Sequence, residues 1–484
     1  MDVQGLYAAF KECGCVTTDS RAVSGGEMFF ALKGENFDGN EYACAALWAG
    51  ARYAVVEDGT VAAGSGDPRV IAVPDTLAAL QALARHHREN TFVDGKPLTV
   101  IGLTGTNGKT TTKELITKVL SVKYNVTSTQ GNLNNDIGVP LSVLRIDSRT
   151  QIAVIEMGAS HPGDIGKLVS VCEPDYGLIT NVGKAHLLGF GSFEGVRMAK
   201  GELYDYIQKR GGCIFLNADD ANLAGMASSR CGLNVIDYGL EYWGALVLPS
   251  DADHPFVRMA VPDSVGVSPV RQVGGAVPHR TESAELSEIL LPVETHLAGS
   301  YNAANIASAI AVGLHFGVTL EEAIQAVSEY IPKNNRSQLE KTDRNIVIED
   351  AYNANPTSMA AALENLSAVQ AKRKAVMLGD MRELGADSVS EHIEVVSKLS
   401  SMNPDLVCLV GEEFRKALDE FLPERRPSAG PLSRVAEPGG VSGFHWFPTS
   451  DDLLEWLKSN PVSGHTVLVK GSRGIRMERI LPSL

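Results

Sequence analysis

The chain has 484 residues, of which 44% are hydrophobic and 21% charged, which suits a soluble globular protein with more than one core and predicts about three domains. A formal net charge of −15 argues against general affinity for nucleic acid or anionic lipid, both of which need basic surface, yet leaves room for a locally basic site. The seven cysteines are scattered and odd in number, so free thiols in a reducing compartment are expected; without a basic, apolar leader or a membrane-length apolar run, the reading is a soluble cytoplasmic protein.

In chain order, residues 1–96 alternate short apolar runs with helical patterns. Met28–Leu32, Arg52–Glu57 and Arg69–Val73 read as strands, and Glu41–Ala49 and Thr76–His87 as helices, giving a small α/β unit. Val93–Pro97 reads as a linker. A second unit, 97–331, has predicted strands at Leu98–Leu103, Ile152–Glu156, Gly177–Thr180 and Cys213–Asn217 and an apolar helix over Ala303–Phe316. Such alternation predicts a mostly parallel sheet covered on both faces. Residues 244–290, rich in Pro, Gly, Ser and Val, read as surface strands and loops. A third unit, 332–484, has strands predicted at Asn345–Asp350, Lys374–Leu378, Asp405–Val410 and His465–Lys470. Its helices are predicted at Pro356–Val369, Ser388–Leu399 and Asp451–Leu457, again a doubly wound, Rossmann-like pattern.

The segment Val100-Ile-Gly-Leu-Thr-Gly-Thr-Asn-Gly-Lys-Thr-Thr-Thr-Lys113 follows a strand and opens a helix. Gly105 and Gly108 let the backbone turn tightly, so that N–H groups of Thr106, Asn107 and Thr111 can face an anion at a helix N-terminus. Lys109 can reach terminal phosphates and the Thr110 hydroxyl can hold Mg²⁺. The general P-loop wants a further glycine where this chain has Leu103. The plainer alternative is a glycine-rich structural turn. The acid Glu156 ends a buried-looking strand, so it should share an edge with this loop, where a divalent cation needs hard oxygen ligands. His186 follows the next strand. Taken alone, such an acid is more often solvated, and such a histidine more often packing.

The Thr104-Gly-Thr-Asn-Gly-Lys-Thr110 loop, Asn181-Val-Gly-Lys-Ala-His186 and Met198-Ala-Lys200 together resemble the Mur ligase family. The resemblance covers essentially the whole chain. It implies a three-domain α/β fold: a UDP-muramoyl substrate-binding domain over 1–96, a central ATP-binding domain over 97–331 and a dipeptide-binding, Rossmann-like domain over 332–484. It also implies that Lys200 is carbamylated and joins Thr110, Glu156 and His186 in holding Mg²⁺ at two sites; unaided, a helix lysine reads as solvated. Thr18-Asp19-Ser20-Arg21 resembles the segment that contacts the uridine end, although as residues alone it is a polar turn. Gly131-Asn132-Leu-Asn134-Asn135 resembles a segment facing the muramoyl substrate, a task suited to asparagine's donors and acceptors.

Gly299-Ser-Tyr-Asn302-Ala-Ala-Asn305 resembles the adenine segment; Tyr301 stands where the family often has His, and helix capping by Asn302 is the plainer role. Arg336 matches an arginine that reaches the terminal phosphate, and Asp350 an acid on the ATP ribose. The runs Asp350-Ala-Tyr-Asn353-Ala-Asn355-Pro-Thr-Ser-Met359 and Gly379-Asp-Met-Arg-Glu-Leu-Gly385 resemble the branch that adds D-alanyl-D-alanine. The implied activity is ATP-dependent joining of D-alanyl-D-alanine to UDP-N-acetylmuramoyl-tripeptide through an acyl phosphate, in peptidoglycan precursor synthesis, by a monomer. Lys109, Glu156, His186, Lys200 and Arg336 would be the catalytic set. The alternatives are another amino-acid-adding ligase of this kind, folylpolyglutamate synthetase, or a non-catalytic nucleotide switch.

Overall fold

The structure, a computed structural model, describes residues 2–60, 62–249, 255–274, 289–332, 338–421 and 444–484. The alternation of β-branched runs with amphipathic helices builds three main sheets, each parallel through its centre. In the first, Val16–Thr17, Met28–Phe30, Tyr53–Glu57 and Val70–Val73 lie in that order, all parallel. A helix that the sequence reading missed, Val3–Cys13, is capped by Asp2, closed by Gly14, and buries Leu6, Ala9 and Phe10. A short helix, Ala43–Trp48, follows, and the longest helix here, Thr76–Glu89, is capped by the Asp75 side chain and buries Leu80 and Leu83. Its Arg88 is also buried and donates to the Asp175 carboxylate at 2.9 Å and to the Cys172 and Glu173 carbonyls, which fastens the first unit to the second. The expected linker is a small hairpin, Phe92–Val93 against Lys96–Pro97.

The second sheet runs Val126–Ser128, Ile152–Glu156, Thr99–Thr104, Tyr176–Ile179, Cys213–Asn217, Asn234–Tyr238 and Arg271–Gln272, parallel except for the last. Successive residues of Ile152–Glu156 alternate between two cores: Ala153 and Ile155 face one, Ile152 and Val154 the other. Both faces are therefore covered, as a parallel sheet requires. The 244–290 segment is only partly a surface feature. Leu246–Leu248, Arg258–Pro262 and Leu290–Glu294 form an antiparallel sheet whose Met259, Val261 and Val293 enter the second core. Residues 250–254 and 275–288 of this segment lie outside the described residues.

The third sheet runs Gln338–Lys341, Ile346–Asp350, Thr466–Lys470, Lys374–Gly379, Leu406–Val410 and Phe444–Phe447, parallel except for the first. The helices Pro356–Ala368, Ser388–Met402 and Ser450–Ser459 match the predicted ones closely, because a proline after Asn355 and capping boxes fix two of their starts. All seven cysteines are free, and among the described residues no helix is long and apolar enough to cross a membrane.

Candidate active site

The central strand Thr99–Thr104 is flanked in register by Ile152–Glu156 and Tyr176–Ile179, so their carboxyl ends open on one edge. The loop leaving that strand is shaped by two glycines. At Gly105, φ is +147° and an added Cβ would lie 2.0 Å from Thr180 Oγ1; at Gly108, φ is +77° and a Cβ would lie 2.7 Å from Asn305 Oδ1. Neighbouring groups then pin the loop. Thr106 N–H donates to the Asn181 carbonyl and Asn107 N–H to Asn181 Oδ1, both at 3.0 Å, while Thr180 Oγ1 donates to the Asn107 carbonyl at 2.6 Å. The Lys109 ammonium folds over the loop onto the carbonyls of Gly105 and Thr106 at 2.8 and 3.0 Å. The helix Lys109–Leu120 starts here, so its dipole points into the opening.

Thr110 Oγ1 donates to the Glu156 carboxylate at 2.9 Å, and Asn134 Nδ2 donates to it at 2.8 Å. Glu156 is 1% exposed and makes no ion pair among the described residues. A buried carboxylate held only by neutral donors is short of positive charge. Lys200, on the helix Phe193–Arg210, is 2% exposed, which overturns the solvated reading of this lysine. Its ammonium lies 5.7 Å from the centre of the Phe190 ring. Burial, and then the neighbouring Lys109 charge, push its pKa well below the usual lysine value. His186 has a left-handed backbone, φ +51°, and burial lowers its pKa, with Glu383 opposing and Lys109 and Lys200 assisting. Among the described residues no three His, Cys, Asp or Glu side chains gather as a metal site; the expected set contributes two of that kind, Glu156 and His186, besides Thr110 and Lys200.

All three units line one cavity of about 960 Å³. From the first come Leu77 and Gln81. The second supplies Thr106–Lys109, Thr111, Asn132, Asn134, Asn135, Glu156, His186, Asn302 and Asn305. From the third come Asp350, Asn353, Asn355 and Lys470. Asn355 caps the helix Pro356–Ala368 through Ser358 N–H at 2.9 Å, and its amide also donates to Asn107 Oδ1 at 2.8 Å. The phosphate loop thus touches the third unit directly.

Comparison with known proteins agrees with this architecture. Residues 12–88 match the Mur ligase family catalytic domain, 103–313 the Mur ligase middle domain and 335–473 the Mur ligase glutamate ligase domain. The chain is 33% identical over 97% of its length to the UDP-N-acetylmuramoyl-tripeptide–D-alanyl-D-alanine ligase of Bacillus subtilis, covering 92% of that protein. It is 32% identical over 97% of its length to the Escherichia coli enzyme of the same name, covering 93% of it. It belongs to the Mur ligase family. Among solved structures, MurF from Acinetobacter baumannii superposes with a TM-score of 0.79 at 27% identity, covering 100% of this chain and 98% of that one. MurF from Thermotoga maritima in complex with ADP gives 0.75 at 26% identity, covering 97% of this chain and 96% of that one.

The other residues this Mur ligase chain was expected to use differ in their surroundings. Asp19, Ser20 and Arg21 form a short turn away from the cavity lining, where Asp19 pairs with Arg21 at 2.8 Å. Arg336 lies outside the described residues. Asn302 does not cap its helix: it is the first helical residue, donates to the Ala298 carbonyl at 2.8 Å and accepts from Asn305 at 2.9 Å. Asp350 is held by the buried Lys470 ammonium at 2.5 Å. Sequence reasoning missed Asn181, although it stands in the quoted His186 segment at a strand end. It left Lys470 without a role and did not foresee that Glu383 reaches His186.

Proposed function

We propose that this chain joins D-alanyl-D-alanine to UDP-N-acetylmuramoyl-tripeptide with hydrolysis of ATP to ADP and phosphate. One observation carries the reading: Asn107 of the phosphate loop bonds Asn355 of the dipeptide-like motif inside a single cavity. This contact supports a reading in which nucleotide and acceptor amine share one space. In the first step the terminal carboxylate of the tripeptide attacks the γ-phosphate, forming an acyl phosphate and releasing ADP. In the second, the dipeptide amine attacks the acyl carbon, loses a proton and expels phosphate. Both steps bring anions together, so the main demand is positive charge and orientation, and no side-chain nucleophile is needed.

Lys109 and Arg336 supply cationic groups toward the phosphates, with the amides of Gly105–Thr111 cradling them. Asn302 and Asn305 face the adenine and Asp350 the ribose. Asn132, Asn134 and Asn135 orient the muramoyl substrate, Asp19, Ser20 and Arg21 its uridine end, and Asn353 and Asn355 the dipeptide. Thr110, Glu156, His186 and Lys200 are proposed to hold Mg²⁺ at two sites, and the metal would neutralise phosphoryl charge. Buried Glu156, which has no ion pair among the described residues, fits a cation, and the depressed pKa of Lys200 fits carbamylation, since the neutral amine is the form that adds to CO₂, releasing a proton. The three functional units are 1–96, 97–331 and 332–484. Because one chain lines the cavity with all three, a monomer suffices.

The test is a substrate panel with ADP release as the signal. The UDP-linked tripeptide with D-alanyl-D-alanine is expected to give turnover that needs both substrates. Efficient turnover with diaminopimelate or L-lysine and a UDP-linked dipeptide would overturn the assignment, and ATP hydrolysis indifferent to either peptide would favour a nucleotide switch.

A further inference from the structure

His186 and Glu383 are 197 residues apart and belong to different units, yet the His186 ring bonds the Glu383 carboxylate through Nδ1. Both residues have left-handed backbones, φ +51° and +63°, a conformation uncommon outside glycine. They face each other across the interface, and the Glu383 carbonyl also accepts the Leu188 N–H at 3.1 Å. Glu383 hangs from a fixed backbone. The Asp380 carboxylate accepts N–H groups from Glu413 and Phe414 at 3.0 and 2.9 Å, Met381 N–H donates to His392 Nε2 at 3.0 Å, and Arg382 N–H donates to Ser472 Oγ at 2.9 Å. The Gly379–Gly385 motif is therefore anchored at three consecutive residues before its fourth side chain reaches out.

An ionised carboxylate only accepts, so Nδ1 of His186 carries a proton, and in the neutral ring this leaves the lone pair on Nε2. That is the tautomer a metal-binding imidazole needs, and a carboxylate on the far nitrogen is the usual way to fix it. We infer that Glu383 is a positioning residue that orients His186 for metal binding, so that the third unit, on docking, completes a ligand that belongs to the second. The inference rests on the metal role proposed for His186.

The test is Mn²⁺ binding to the full-length chain in the presence of ADP, read by the electron paramagnetic resonance signal of free Mn²⁺. His186→Ala is expected to weaken binding, and Glu383→Ala to weaken it roughly 10- to 100-fold. Glu383→Gln, which can still accept the Nδ1 proton, should fall between Glu383→Ala and wild type. Lys184→Ala is the control for docking, because it removes a separate contact between the units, to Glu391 at 2.6 Å, without touching His186. It should leave Mn²⁺ affinity near wild type. Unchanged binding in His186→Ala would sink the metal role itself. Normal binding in Glu383→Ala beside a weakened His186→Ala would sink only the positioning role. Equal losses in Lys184→Ala and Glu383→Ala would assign the effect to docking and overturn the inference as well.

Discussion

Asn355 holds two jobs in one side chain, and they can be separated. Its Oδ1 accepts Ser358 N–H at 2.9 Å and caps the helix Pro356–Ala368, while its Nδ2 donates to Asn107 Oδ1 at 2.8 Å across the unit boundary. Asn355→Ala loses both. Asn355→Ser keeps a capping oxygen but is too short to reach Asn107. A lost cap costs about 1 kcal/mol, and a neutral hydrogen bond contributes about 0.5–1.5 kcal/mol net. Urea unfolding followed by the fluorescence of Trp446 and Trp456, both in the third unit, should thus show Asn355→Ala destabilised by about 1 kcal/mol and Asn355→Ser by much less. In kcat/KM for ADP release both variants should fall, by roughly 2- to 10-fold if the lost bond is made on closing the site. Asn107→Ala, alone and combined with Asn355→Ser, completes a cycle whose coupling should be about 0.5–1.5 kcal/mol. Additive effects on kcat/KM would refute the idea that this contact helps to join the two units in the working enzyme. A Ser variant as unstable as the Ala variant would refute the capping account.

Lys109→Ala should abolish turnover and leave the circular dichroism spectrum and unfolding midpoint near wild type, since the lysine lies in a loop and bonds carbonyls of that same loop; near-normal ADP release would remove the loop from catalysis. Lys200→Ala and Lys200→Arg should both lose most activity if the lysine acts as a carbamate, and a small carboxylic acid should restore part of the rate to the alanine variant. Full activity in Lys200→Arg would leave an ordinary cation in its place. Glu349 has one carboxylate oxygen, Oε1, without a hydrogen-bond partner among the described residues, and burial followed by repulsion from Glu340, Glu478 and Asp350 raises its pKa. A raised carboxyl pKa means that stability is lost as pH climbs above the ordinary glutamate range. Glu349→Gln should therefore gain about 1 kcal/mol at pH 7 in urea unfolding, a gain that fades near pH 4; no gain at pH 7 would show that the ionised carboxylate is well solvated.

What could be read from the sequence, and what could not, divides by the range of the interaction. The phosphate loop was legible because strand, glycines, lysine, threonine and helix follow one another within a few residues, and the chemistry of each needs only its neighbours. Glu156 was legible for a related reason: a parallel sheet sends strand ends to one edge, so a buried strand ending in an acid has few places to put it. The helix Val3–Cys13 carried a local signal too, with Asp2 as cap and Leu6, Ala9, Phe10 and Cys13 at helical spacing, and it was simply passed over. Lys200 is different. Its neighbours on the helix, Arg197 and Glu202 among them, suggest a solvated face, yet it is buried, with the centre of the Phe190 ring, on the short helix Leu187–Phe190, 5.7 Å from its ammonium. Glu383 lies further still from local reading. Its side chain acquires a role only when two separately folded sheets dock, and nothing within ten residues of it encodes where the other unit will be. Such residues look idle in the sequence because the partner that gives them a function is supplied by the interface. It is at these interface positions, Asn355, Lys184 and Glu383, that substitution should separate closure of the site from the stability of each unit.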